Sequence, residues 1–383
     1  MKFGGLLFAN LFRKKIRLLL TIGSFAAALF LFTFLAVVKS AFSRGVEVAG
    51  ADRLVVINRT SIIQPLPLAY RDKMIVIPGI RAITHANWFG GVYQDEKNFF
   101  PQIAVDIENQ REVYPEIVLP DDEWKTFLND RQGAVVGART AKRFGWKIGD
   151  RIPIKSTLFG GNSAWEFNID GIFHNSKPGG DESAFWFQWK YFDENMPADY
   201  KGMVGWYVIR LSSPDDAERV AKAIDTEFTN SNYETKTETE SAFQAGWAKQ
   251  FGNIEFLILS IGSVVFFTLL LVTGNTMAIA VRERTGELAV LKAVGFSDRA
   301  VLVMVLAESI FIAIIGGSLG LLLAAAAVPM LASALNGLLP VLVVSYSTLL
   351  AGIGFALGVG ALSGLIPAFG AMHLRVVDAL RRV

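Results

Sequence analysis

The sequence predicts a membrane protein with four transmembrane α-helices and a large mixed α/β extracytoplasmic domain inserted between the first and second spans. Three observations predict it. Four apolar runs are each about 20 residues or longer, enough to cross a hydrocarbon core ~30 Å thick. Residues 39–253 separate the first run from the second with charged sequence patterned as short strands and helices. The whole chain is 52% hydrophobic with a mean hydropathy of +0.39, yet 19% charged, which is too apolar for a soluble protein and too charged for bare spans.

The elements follow in order. Residues 1–17 are a cytoplasmic segment. Within it Phe3, Leu7, Phe8, Leu11 and Phe12 recur at helical spacing, with Lys2, Asn10 and Arg13 elsewhere, as in an amphipathic interfacial helix. Residues 18–38 form the first span. The run is longer than the ~7–15 residues of a signal-peptide core, and its exit is no convincing cleavage site, so it reads as a retained anchor. Residues 254–281, 301–328 and 348–369 are the other three spans. Lys and Arg gather before the first span, in the 282–300 loop (Arg282, Arg284, Lys292, Arg299) and in the 370–383 tail, whereas the 329–347 loop has none. The positive-inside rule places both termini and the 282–300 loop in the cytoplasm, and residues 39–253 and 329–347 outside. The predicted location is the bacterial inner membrane. Charge agrees with this division: residues 39–253 hold 25 Lys/Arg against 29 Asp/Glu, and the remainder 12 against 6.

Within the inserted domain, Leu54–Asn58, Met74–Ile77, Ala134–Val136, Arg151–Lys155, Trp165–Phe173, Trp206–Leu211 and Tyr233–Thr237 read as strands. Pro120-Asp-Asp-Glu-Trp starts a helix, since acids suit the positive end of its dipole. Ala138–Phe144 is a short helix. Ser213-Pro-Asp-Asp starts another, which runs to about Phe228. The aromatic run Phe185, Trp186, Phe187 and Trp189 is assigned to the core over a partner-binding surface.

Residues 282–300 form a charged, helix-patterned segment between two spans, which implies contact with water or a partner. Leu288 and Leu291 lie three apart on one face of it, which Ala293 and Val294 extend. In the spans, Gly316 and Gly320, Gly354 and Gly358, and Gly360 and Gly364 are each four apart, a spacing that lets helix backbones approach in lipid. Glu308 lies inside the third span and needs a partner, for which Arg299 and Arg282 are candidates, or access to the cytoplasmic face.

Several chemistries are excluded. There is no cysteine, hence no disulfide or thiolate. No stretch fits the phosphate-binding G-x-x-x-x-G-K-[ST]. The single G-x-S-x-G match, Gly316–Gly320, lies inside the third apolar run rather than at a strand-to-helix turn, so it is no nucleophile elbow. His85, His174 and His373 lack metal-ligand spacing. No catalytic residue, metal or cofactor is assigned to this chain, and nothing suggests nucleic acid.

The 282–300 segment resembles the cytoplasmic loop of MacB/FtsX-type ABC-transporter permeases. The matching residues are Arg284, Thr285, Glu287, Leu288, Leu291, Lys292, Ala293, Val294 and Gly295, with Lys292 and Val294 as mild departures. Ile77–Ile83, Val135–Ile154 and Phe167–Phe173 resemble the MacB-type periplasmic core domain. With the spans and Val377-Asp-Ala-Leu-Arg, the resemblance covers most of the chain. Residues 156–200 match least.

The resemblance implies a permease subunit without catalysis of its own. It would be paired with a second permease subunit, either an identical copy or a paralogue. A separate cytoplasmic ATPase holding ATP and Mg would drive it, and a periplasmic adaptor is a further partner in the family. ATP hydrolysis would then move the extracytoplasmic domain by mechanotransmission, with a stiff helix continuing outward from the second span. Arg282, Glu283, Arg284, Glu287, Leu288, Leu291, Lys292 and Gly295 would form the ATPase contact. The cell-division branch of the family offers a second reading, a signalling scaffold that activates an external cell-wall hydrolase. Its usually smaller external domain argues for the exporter side.

Overall fold

The computed structural model describes residues 14–48, 50–158, 164–177, 180–250, 254–334, 342 and 344–374. The amphipathic segment predicted at residues 1–12 lies outside them. So does residues 251–253, the join through which the sequence predicts a helix continuing from the second span. The chain forms two compact units, a helical one and the inserted domain.

Among the described residues four helices are long and apolar enough to cross a membrane, in Lys15–Val48, Ile254–Glu283, Asp298–Ala334 and Tyr346–Met372, and they make up the helical unit. Each outruns its apolar run, because a helix satisfies its own backbone in lipid and in water alike. Their shared core gathers Phe25 and Leu29, Leu269 and Met277, Val305 and Ile312, and Val359. Between the third and fourth helices the Ser309 hydroxyl donates to the Gly360 carbonyl at 2.7 Å.

The inserted domain is a mixed sheet with helices on it. In chain order its strands are β1 (Arg53–Asn58), β2 (Leu66–Pro67), β3 (Ile80–Trp88), β4 (Gly91–Val92), β5 (Gln102–Val105), β6 (Ile117–Val118), β7 (Gly133–Gly137), β8 (Arg151–Ser156), β9 (Ala164–Asn175), β10 (Phe185–Gln188), β11 (Met203–Val204), β12 (Trp206–Leu211) and β13 (Thr235–Thr239). The main sheet runs β13-β1-β12-β3-β5-β10-β7-β9-β8-β4, with β6 beside β9, and β2 and β11 pair separately. The pairs β5–β10 and β7–β9 are parallel and the others antiparallel.

Side chains alternate across a strand, so its odd and even residues serve opposite faces. Phe185 and Phe187 enter a core with Leu54, Ile83, Ala134, Val136 and Phe167, whereas Trp186 joins Val105, Trp124, Phe127, Val135 and Phe173 on the other side. The run Phe185–Trp189 is therefore core, split between two faces. This is why Phe185–Phe187 is uniformly apolar rather than alternating.

Most predicted elements appear with shifted ends, such as β13 at Thr235–Thr239 rather than from Tyr233. One is wrong in kind. Met74–Ile77, predicted as a strand, is the end of helix Tyr70–Met74 followed by a turn in which Ile77 N donates to Met74 O at 3.0 Å. Pro78 and Gly79, the latter at φ +101°, turn the chain, and the strand begins at Ile80. The apolar character of Met74 reflects its complete burial at a helix end, not strand alternation.

The two ends of the inserted domain are tied by a buried ionic cluster. Gly50 N and Arg53 Nε both donate to Glu240 Oε2, at 2.6 and 2.7 Å. Arg53 also pairs with Glu116 at 2.7 Å and lies over the Tyr114 ring at 4.6 Å. Such a cluster is strongly destabilised if one partner is removed, because the other charge stays buried.

Candidate functional site

The segment between the second and third spans folds as helix Thr285–Ala293. Arg284 marks its start by leaving helical geometry, at φ −107° and ψ 15°. Gly295 ends it. At φ +104° this residue takes the left-handed conformation that costs a side chain energy. Gly295 N then donates to Lys292 O at 3.0 Å and Phe296 N to Leu291 O at 3.1 Å, the pair of bonds that defines a Schellman cap.

Most of the charges chosen from the sequence are spent inside the subunit. Arg284 grips Glu308 of the third span with both carboxylate oxygens, at 2.7 and 2.8 Å. The partner of Glu308 is thus neither Arg299 nor Arg282. Arg284 stands at the break between two helices, where its side chain can turn back toward the bundle. Glu283 takes Lys14 Nζ at 2.6 Å and Arg17 Nη2 at 2.7 Å from the first span. Lys292 is 7% exposed and its ammonium donates to the carbonyls of Met372 and Leu374, at 2.5 and 3.1 Å, beside Asp298 at 2.7 Å. It therefore caps the C-terminal end of the fourth helix, where cations are favoured.

The apolar face is also turned the other way from expectation. Leu288 is buried in the bundle core and Leu291 is half-buried against it. They are packing residues and offer no free face to a partner. What helix Thr285–Ala293 and its cap leave outside is Glu287, Val290, Ala293 and Val294, with Val290 51% and Val294 77% exposed. Sequence reasoning missed Val290. The available signal was its position three residues after Glu287 and four before Val294. Arg282 is exposed as well.

The glycine pairs divide. A Cβ on Gly316 would lie 2.8 Å from the Ile22 carbonyl of the first span, and one on Gly320 would run into the Ala26 carbonyl. A Cβ on Gly360 or Gly364 would meet Ala313 at 2.7 Å or Ser309 at 2.8 Å. Gly354 and Gly358 face open space among the described residues, so their spacing serves no contact there. Gly317 against Ala356 and Gly352 against Leu321 are close approaches that spacing alone did not reveal.

Four spans, a mixed α/β domain inserted after the first, and a short capped helix between the second and third define an ABC-transporter permease of the MacB/FtsX type. The MacB-like periplasmic core domain family matches residues 18–227, more than half of the chain, and the FtsX-like permease C-terminal domain matches residues 259–376. The chain belongs to this family. It is 23% identical over 319 residues to the uncharacterised ABC transporter permease MJ1507 of Methanocaldococcus jannaschii, covering 80% of this chain and 77% of that protein. It is 35% identical over 107 residues to the macrolide export ATP-binding/permease protein MacB of Bdellovibrio bacteriovorus, covering 28% of this chain and 16% of that protein. Among solved structures, the periplasmic region of MacB from Actinobacillus actinomycetemcomitans aligns with a TM-score of 0.37 at 10% identity, over 54% of this chain and 95% of that one.

Proposed function

We propose that this permease couples ATP hydrolysis on a separate cytoplasmic ATPase, which holds ATP and Mg, to movement of its inserted domain on the far side of the inner membrane. The work is export or extraction of a substrate, carried out with a second permease subunit. One observation carries the reading. The junction that carries helix Thr285–Ala293 is bonded to all the spans: Glu283, the last residue of the second, pairs with Arg17 of the first, Arg284 at the helix start pairs with Glu308 of the third, and Lys292 within the helix reaches the end of the fourth. A push on its outer face is therefore delivered to the whole bundle rather than absorbed by a loop.

The contact with the ATPase then rests on Val290 and Val294, with Glu287 and Arg282 at the rim. Rim charges in water are worth only about 0–1 kcal/mol each, so the apolar pair dominates. Replacing both Val290 and Val294 with Asp buries unpaired carboxylates in the contact. That variant is expected to insert normally, lose co-purification with the ATPase and lose permease-dependent ATP hydrolysis. Retention of both by a correctly inserted variant would remove the coupling role. Leu288→Asp with Leu291→Asp is the contrast. It is expected to lower the yield of folded protein before any partner is added.

A further inference from the structure

The inserted domain contains a cavity of about 400 Å³, a size within the range of small-ligand sites. His85 on β3 lines it and is only 6% exposed, yet among the described residues neither ring nitrogen has a hydrogen-bond partner. The nearest carboxylate oxygen, Asp106 Oδ2, is 3.7 Å from Nδ1 and already accepts from Asn109 at 2.8 Å. The Trp189 ring stands edge-on to the imidazole at 4.7 Å, but its N–H is used by Asn87 at 2.7 Å. Arg71 lines the same cavity, and its buried Nε also lacks an acceptor among the described residues. Burial, the largest influence, lowers the imidazole to about 4, so near neutrality it keeps one N–H and one lone pair.

A buried polar group without a partner keeps the penalty of leaving water with nothing to offset it. Two such side chains facing one cavity are therefore a site awaiting a ligand. Their unmet needs are acceptors for the Arg71 Nε–H and for one imidazole N–H, and a donor for the other imidazole nitrogen. A peptide amide carries both in one unit, a carbonyl and an N–H. Charge decides against a simple anion, since Asp72, Asp106 and Glu108 line the cavity against Arg71 and Lys190, and the histidine is neutral. Leu68, Val105 and Ile107 provide an apolar wall.

We propose that this cavity binds a short peptide segment. Its main-chain amide meets His85 and Arg71, an aliphatic side chain lies on the apolar wall, and an ammonium group faces the carboxylates. The inference does not depend on the coupling helix, and no ATPase enters its test. All eight tryptophans lie between residues 88 and 247, so intrinsic fluorescence of the full chain in detergent reports on the inserted domain.

The probe is the tripeptide Lys-Leu-Ala, with acetate as the anion control. The wild type is expected to show a saturable change with the tripeptide that acetate does not displace. His85→Phe fills the same space without nitrogens. It is expected to weaken binding about tenfold or more while leaving the melting temperature equal or higher. His85→Gln, which keeps a donor and an acceptor, is expected to retain part of the affinity. Three results would overturn the proposal: no saturable binding by the wild type up to about 10 mM, undiminished binding by His85→Phe, or displacement by acetate. A marked fall in the melting temperature of His85→Phe would also overturn it, because the nitrogens would then be satisfied by internal water and serve the fold.

Discussion

Asp170 on β9 is a buried carboxylate whose Oδ2 has no hydrogen-bond partner among the described residues. Burial, helped by the charge of Asp130, pushes it up to about 7 from the ordinary 3.8. The sign follows from linkage. A carboxyl raised in the folded state is held more tightly as the acid, so its contribution is fully present below 3.8 and lost as pH rises through about 7. Glu116 runs the other way. Burial works to raise it, but the Arg53 hydrogen bond and charge prevail and hold it below the usual carboxylate range. Its contribution is present at neutral pH and lost as acid protonates it. The inserted domain is therefore expected to be most stable in mildly acidic solution. Asp170→Asn should flatten the alkaline limb and gain on the order of 1–2 kcal/mol at pH 8, after solvent screening reduces the full linkage value. Urea unfolding of the two proteins at pH 5 and pH 8, followed by tryptophan fluorescence, measures this. An equal loss of stability with rising pH in both would refute the assignment. Nothing in the sequence around Asp170 announces this behaviour, because Glu166, an acidic residue on the same strand, is exposed.

At the scale of elements, the spacing of the glycines was legible and their use was not. Every GxxxG pair offers a narrow stripe, but only a neighbouring backbone makes the stripe necessary. Gly320 faces a carbonyl of the first span, which cannot swing aside as a side chain can. Gly320→Leu is expected to lower the yield of folded subunit and its melting temperature. Gly358→Leu, in open space, is expected to leave the subunit fold unchanged. Thermal melts and size-exclusion profiles in detergent compare them, and equal damage from both would show that the packing assigned to the first and third spans is wrong. The inserted domain teaches the same lesson. Ser213 was readable as a cap, and its hydroxyl accepts from Asp215 N at 3.3 Å. Met74–Ile77 was not readable, because a buried helix end and a short strand share an apolar signature.

At the scale of the molecule, the order of apolar runs and the distribution of Lys and Arg imply cytoplasmic termini and an extracytoplasmic inserted domain. The natural chain has no cysteine, so single cysteines can be placed without background. Ser212 in the inserted domain and Ser297 after the coupling helix are both exposed. Cys at position 212 is expected to react with a membrane-impermeant maleimide in sealed cells, and Cys at position 297 only after the membrane is opened. Labelling at 297 in sealed cells would overturn the orientation and, with it, the contact with a cytoplasmic ATPase.

The sequence by itself determined the four spans, the place of the inserted domain, its mixed α/β character and the helical pattern of the short segment between the second and third spans. These are local properties: an apolar run either reaches across a bilayer or does not, and a cap acts within a few residues. Tertiary structure alone decided what the side chains do. Arg284 finds Glu308 across 24 residues of sequence, and Lys292 finds the end of the fourth helix across 80. Those two anchors, with Leu288 in the core, set the rotation of helix Thr285–Ala293 and turn Val290 and Val294 outward. His85 likewise became a candidate ligand group only when the sheet buried both its nitrogens without a partner. Contacts of that range depend on packing geometry that no pattern along the chain encodes.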